Sequence, residues 1–225
     1  MPVKFHFLDA FDEIPRRLRE AIQGELDDAL ARILLRLPID RVDIVVAPSN
    51  WVIPEYGLNG FAHGKGRITF SIDPSSPRIE DAERAQRILG LLAHELHHVV
   101  RTRGPDCGKT LGEALVSEGL AQCCEEEVGA PTPFYAVYLD AEALRRVGQK
   151  AREHIAAENY DHNAWFFGRR GDLDWPRNAG YSLGYTLVKA WLGSAGTTAS
   201  ASAEVPAKVI LDPWVNRTLP IHPSV

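Results

Sequence analysis

A chain of 225 residues, 45% hydrophobic and 24% charged, is long enough for one substantial domain or two subdomains sharing a cleft. Its formal charge of −5 and pI near 5.9, with arginines scattered through helical segments, argue against nucleic-acid or membrane-surface binding. Three cysteines (Cys107, Cys123 and Cys124) match neither a disulfide framework nor CxxC zinc spacing, and with no secretory signal or spanning run they point to the cytoplasm.

Residues 3–8 alternate weakly and are rich in Phe and Val, which predicts a first strand. Residues 12–37 carry Ile14, Leu18, Ile22, Leu26, Leu30, Ile33, Leu34 and Leu37 near a 3.6-residue period. That predicts an amphipathic helix with Pro15 in its first turn and Pro38 closing it. A second strand covers 41–47. Residues 58–72 read as a glycine-rich hairpin or loop leading into an alternating strand. Its plain role is sheet and turn; its functional role is an edge strand whose free backbone groups pair with an extended peptide.

A long helix is expected to start at Ser76 as cap and Pro77 as first residue, and to end near Gly104-Pro105. Thr110-Leu111-Gly112-Glu113 then forms a capping box for a helix that runs to Val128 and stops at Gly129. Its inward stripe is expected to be Leu111, Ala114, Leu115, Glu118, Ala121 and Gln122, with Glu125, Glu126 and Glu127 solvated. Residues 133–160 predict another amphipathic helix, 161–177 a loop dense in aromatics and arginine, and 178–193 a final helix. Residues 194–207 are low in complexity and read as a flexible connector to a tail.

Chemistry concentrates in His94-Glu95-Leu96-His97-His98, inside the apolar run of the long helix. Residues i and i+4 share a helix face, so His94 and His98 can hold one metal ion, with Glu95 placed to reach a water on it. His97, three residues from His94, is the alternative to His98. His6, His63, His154, His162 and His222 stand alone and read as ordinary surface or core histidines. A catalytic zinc takes three protein ligands and keeps one position for water. The metzincin pattern needs glycine at 101 and histidine or aspartate at 104, where the chain has Arg101 and Gly104. The other large class uses a glutamate from a following helix about twenty residues on, and Glu118 stands at that distance. A glutamate in a small, apolar stripe is costly without a partner, which a zinc ion supplies. Glu113 is better used in the capping box.

This motif, followed by Leu115-Val116-Ser117-Glu118-Gly119-Leu120-Ala121, resembles the gluzincin metallopeptidases. It is most similar to a bacterial family of predicted zinc-dependent proteases filed as a domain of unknown function. A Gly-Tyr-x-x-Gly-Tyr segment of that family is matched by Gly180-Tyr181-Ser182-Leu183-Gly184-Tyr185. The resemblance implies an α+β, zincin-like fold: a small mixed sheet packed on the active-site helix, and a helical C-terminal part. On that reading residues 1–193 form one metallopeptidase domain (1–104 sheet and active-site helix, 105–193 helical), with 194–225 as connector and tail.

It also implies one Zn2+ per chain, a metal-activated water with Glu95 as general base, and Tyr181 aimed at the developing oxyanion, with Tyr185 packed. The substrate would be a peptide or protein, cut in endopeptidase fashion. Two departures stand out. Gln122 occupies the place where thermolysin-like members orient a histidine ligand with aspartate. Gly60-Phe61-Ala62-His63-Gly64 lacks the acid with which aminopeptidases capture a free amino terminus. The rival readings are a zinc-containing binding or regulatory module without turnover, and a helical interaction protein in which the motif is accidental.

Overall fold

The computed structural model describes residues 3–104 and 108–217. Pro105, Cys107 and His222 lie outside the described residues, as does the tail from 218 on. The chain is α+β and divides into two compact units, residues 1–103 with 128–131, and residues 104–127 with 132–225.

The first unit is built on a mixed four-stranded sheet in the order β1-β2-β4-β3. Strands β1 (Val3–Phe7), β2 (Val42–Pro48) and β4 (Arg67–Ile72) run parallel, and β3 (Leu58–Ala62) pairs antiparallel with β4. A parallel pair needs a crossover, and helix α1 (Arg16–Ile33) supplies it between β1 and β2. Along β2 and β4, Ile44, Val46, Ile68, Phe70 and Ile72 are wholly buried, which gives the sheet one apolar face for the helices. Helix α2 (Arg84–Arg101) packs on α1, β3 and β4. A two-point hydrogen bond from Arg84 to Glu25, 2.9 and 2.8 Å, ties α2 to α1.

In the first unit two helix starts differ from the sequence expectation. Helix α1 begins at Arg16 rather than residue 12, because the Asp9 carboxylate accepts the amides of Glu13 and Ile14 and holds them in a turn. The long helix is interrupted: Ser76 caps only a 3-10 turn, Pro77–Glu80, after which Asp81 is extended at ψ 146°. The side chains of Arg84 and Arg87 reach back to the carbonyls of Ile79 and Arg78, so the turn is capped from α2 and does not continue into it.

The second unit is helical. Its centre is the pairing of α3 (Leu111–Glu127) with α6 (Ala179–Ala195), against which α4 (Ala141–His154), α5 (His162–Phe167) and α7 (Ala207–Val215) pack. The capping box forms as expected: the Glu113 amide donates to Thr110 Oγ1 at 3.2 Å and the Thr110 amide to the Glu113 carboxylate at 3.4 Å. The α3–α6 crossing is set by two glycines. A Cβ on Gly119 would stand 2.2 Å from the Gly184 carbonyl oxygen, and one on Gly184 2.3 Å from that of Leu115. Neither position accepts a side chain unless the helices part.

Helix α3 is therefore buried on more than one stripe, with Val116, Leu120, Cys123, Cys124 and Glu125 also inside. The glutamate run is not a solvated end. Glu125 is buried and accepts the Tyr135 hydroxyl at 2.9 Å. Glu126 accepts from Tyr185 (2.9 Å), Thr132 and Lys189, and Glu127 from the Ser200 amide (2.9 Å) and hydroxyl. The helix expected over 133–160 covers only Ala141–His154 and is capped by Asp140. Before it, Ser182 accepts the Tyr138 amide and donates to the Tyr135 carbonyl, which uses those backbone groups outside a helix. The aromatic loop contains α5, capped by Asp161. The low-complexity stretch is packed, with Ala199, Ser202 and Ala203 buried. No described helix is long and apolar enough to cross a membrane.

Candidate metal centre

The His-Glu-His motif lies in the latter half of α2, where burial of its neighbours Leu92, Ala93, Leu96 and Val99 fixes the helix face that carries it. His94 and Glu95 are buried, and His98 is half-buried. The His94 and His98 rings lie side by side, centroids 4.7 Å apart and planes at 80°, as the four-residue spacing requires.

His94, His98 and Glu118 each offer one ligand atom, and these atoms lie within 4.8 Å of one another. They are a group of side chains that could hold a metal ion. His97, the alternative at three-residue spacing, is completely buried and stands outside that group. Two imidazoles and a carboxylate are the donor set that suits zinc at an open, three-ligand site, so the residues present fit that ion.

Glu95 does not belong to the ligand group, and its surroundings are specific. A Cβ on Gly60 would lie 2.4 Å from Glu95 Cγ and 3.0 Å from both Cδ and Oε1. The backbone of β3 thus rests directly on the Glu95 carboxyl. Only glycine permits that approach without displacing the glutamate. In the sequence Gly60 is one glycine of a stretch that reads as a hairpin or loop; the structure puts it inside β3, and a glycine inside a strand marks a close backbone approach.

Glu118 projects from α3 one residue before the Gly119 contact, so the close crossing of α3 and α6 fixes its backbone. Gln122, at the place where thermolysin-like members orient a ligand histidine with aspartate, lies within this helix pair; with its amide turned so that the nitrogen faces the carbonyls of Tyr181 (3.0 Å) and Glu118 (3.2 Å), it donates to both. Two residues outside the motif, Tyr160 and the histidine His162 that reads as ordinary in sequence, sense the Glu118 charge. Burial raises the Tyr160 pKa, and Glu118 and Glu113 add to it. Burial lowers the His162 pKa against the opposing pull of Glu118 and Asp161. His162 stacks on Phe166 at 4.5 Å, and its Nδ1 is 3.3 Å from the Tyr160 hydroxyl. No spacing rule connects residues 160 and 162 to 118.

Tyr181 is the third residue of α6, half-buried, with its ring 5.2 Å from Tyr135, 5.1 Å from Phe166 and 6.4 Å from Phe167. Tyr185, one turn on, is buried and donates its hydroxyl to Glu126. Burial and that hydrogen bond raise its pKa.

The family described as predicted Zn-dependent protease (DUF2268) matches residues 22–212. The chain belongs to that family. The match takes in α2, α3 and α6, and with them every residue discussed above from Gly60 to Tyr185. No curated protein matches the chain. The family's description carries the expectation of zinc and of proteolysis, and names no substrate.

Proposed function

We propose that the chain is a zinc peptidase with a zincin-like fold, in which His94, His98 and Glu118 hold one Zn2+ and Glu95 is the general base. The observation that carries this reading is the convergence of two imidazoles and a carboxylate beside a glutamate that is not one of them. Structural zinc sites use four protein ligands, and three leave a position for chemistry. Bound zinc supplies Lewis acidity, bringing the pKa of water down towards about 7 and polarising the scissile carbonyl.

Glu95 takes the proton of the attacking water and delivers it to the amine that leaves as the C–N bond breaks. Its contact with Gly60 limits the rotamers open to the carboxylate. Tyr181 donates a hydrogen bond to the oxyanion. Its place in the first turn of α6 supports this role, since the Tyr185 hydroxyl is already given to Glu126.

The substrate is an extended segment of peptide or protein, bound along β3, which no other described strand covers on its outer side. No acidic side chain stands at residues 60–64 to grip an amino terminus, which favours endopeptidase action. The two described cysteines are free and buried, and burial pushes both thiols up, which suits a reducing compartment such as the cytoplasm.

Metal analysis of purified protein should give about one zinc per chain, lost on His94→Ala. Glu95→Gln should keep the zinc and abolish cleavage of a quenched-fluorescent peptide library. Cleavage that survives Glu95→Gln sinks the mechanism. Bound zinc with no wild-type cleavage of the library favours a binding module instead.

A further inference from the structure

Among the described residues, strand β3 is an outer strand of the sheet, and its register is fixed. The His63 amide donates to the Arg67 carbonyl at 2.7 Å, and the Asp73 amide to the Gly57 carbonyl at 3.0 Å. In the observed register these are hydrogen-bonded pairs, so Asn59 and Phe61 also direct their backbone groups at β4. Leu58, Gly60 and Ala62 must then point theirs the other way. The Leu58 carbonyl is taken by the Ile53 amide, which leaves the amides and carbonyls of Gly60 and Ala62 facing outward.

A peptide added at this edge pairs with Gly60 and Ala62. Its residue opposite Gly60 shares the sheet face of Glu95. The next residue, opposite Phe61, projects to the other face, because side chains alternate along a strand.

That other face carries an aromatic shelf. Phe61 is 47% and Trp51 57% exposed, yet their rings meet edge to face at 5.9 Å, and Phe61 meets His63 at 4.8 Å. His63 is held by Thr69 Oγ1 at 2.9 Å, and burial followed by the nearby Arg67 charge favours its neutral form. Single exposed apolar residues are ordinary; two large rings in contact beside an edge that no other described strand covers form a surface for an apolar side chain.

We propose that Phe61 and Trp51 form a specificity subsite that selects a bulky apolar side chain on the peptide residue lying beside Phe61, one residue from the position that faces Glu95. The subsite rests on the peptidase reading for its substrate, while its geometry lies wholly within the first unit. Register follows from the backbone: Gly60 brings the peptide over the general base, and the period of two sends the neighbouring side chain to the aromatic shelf. Selection then depends on two side chains that are neither Glu95 nor members of the ligand group.

Two measurements separate the subsite from the peptidase reading. In the first, wild type, Phe61→Ala, Trp51→Ala and Phe61→Leu cleave a peptide library, and mass spectrometry reads the sites. Wild type should enrich Leu, Met, Phe or Tyr at one position close to the cut. Each alanine variant should reduce that enrichment about tenfold, leaving other positions, zinc content and melting temperature unchanged, and Phe61→Leu should retain most of it. A merely structural role would lower cleavage of all sequences alike.

In the second, zinc-loaded Glu95→Gln protein binds fluorescein-labelled decapeptides that carry Leu or Ala at successive positions. The Leu preference should appear at one position and vanish with Phe61→Ala. Binding preference without wild-type cleavage upholds the subsite and overturns the peptidase reading. Cleavage or binding with no apolar preference, or a preference unchanged in both alanine variants, overturns the subsite.

Discussion

Replacing Gly119 by alanine tests the crossing that carries Glu118. In an open helix interior this substitution stabilises by about 0.5–1 kcal/mol, because glycine gives up more backbone freedom on folding. At position 119 the new Cβ would stand 2.2 Å from the Gly184 oxygen and 2.5 Å from its carbon. Ordinary contact begins near 3.4 Å, so α3 and α6 must separate locally by about 1 Å. Overpacking of that kind costs about 1–3 kcal/mol, which offsets the propensity gain and leaves a net loss of up to about 2.5 kcal/mol.

At this chain length each kcal/mol moves the midpoint by about 2–4 °C. Gly24 in α1 and Gly193 in α6 are internal controls, since an added Cβ at either meets nothing within 4 Å. Thermal denaturation followed by circular dichroism, with zinc removed, should show Gly24→Ala and Gly193→Ala gaining stability while Gly119→Ala loses it. Zinc titration should then show weaker binding only for Gly119→Ala, whose change displaces the residue next to Glu118. A Gly119→Ala protein as stable as the two controls would refute the close crossing and the reasoning built on it.

Two further outcomes are expected. Burial alone would raise the Glu126 carboxyl, but hydrogen bonds from Lys189, Thr132 and Tyr185 hold it below its ordinary value of 4.5. The lowered pKa means that the unfolded chain binds this proton first as pH falls. The stability contributed by Glu126 is therefore full above about pH 4.5 and lost as pH drops through the lower folded value. Glu126→Gln should be less stable than wild type at neutral pH, and the two should converge in acid, as followed by thermal melts across pH. The Arg84–Glu25 pair, 13% and 22% exposed in its side chains, is closed enough for its loss to register. Glu25→Ala should cost about 1–3 kcal/mol by leaving the guanidinium unpaired, whereas Arg84→Met with Glu25→Leu should recover much of it. A Glu25→Ala melt matching wild type would show the pair to be energetically idle.

How much could be read from the chain depended on the range of the interaction concerned. His94 and His98 are four residues apart on one helix, so their common face follows from helical geometry alone, and the two rings lie as that geometry requires. The Thr110–Glu113 capping box and the 67–72 strand are equally local. Glu118 was legible as an acid in a small, apolar stretch of sequence, and the structure leaves it half-buried. Where expectation and structure parted, a distant or competing contact intervened. Asp9 holds back the start of α1, Arg84 and Arg87 cap the turn that interrupts the long helix, and Ser182 takes the backbone of 135–138 out of helix.

The glutamates at 125–127 look like a solvated run until Tyr135, Tyr185, Lys189 and Ser200 arrive from other segments. The sequence by itself determined the donor types and their spacing along helices, since those depend only on bonds between near neighbours. Tertiary structure alone decided that β3 is the sheet's edge, that Gly60 lies against Glu95, and that Phe61 meets Trp51. Such placements join residues up to 35 positions apart, and no local period or propensity carries information over that separation.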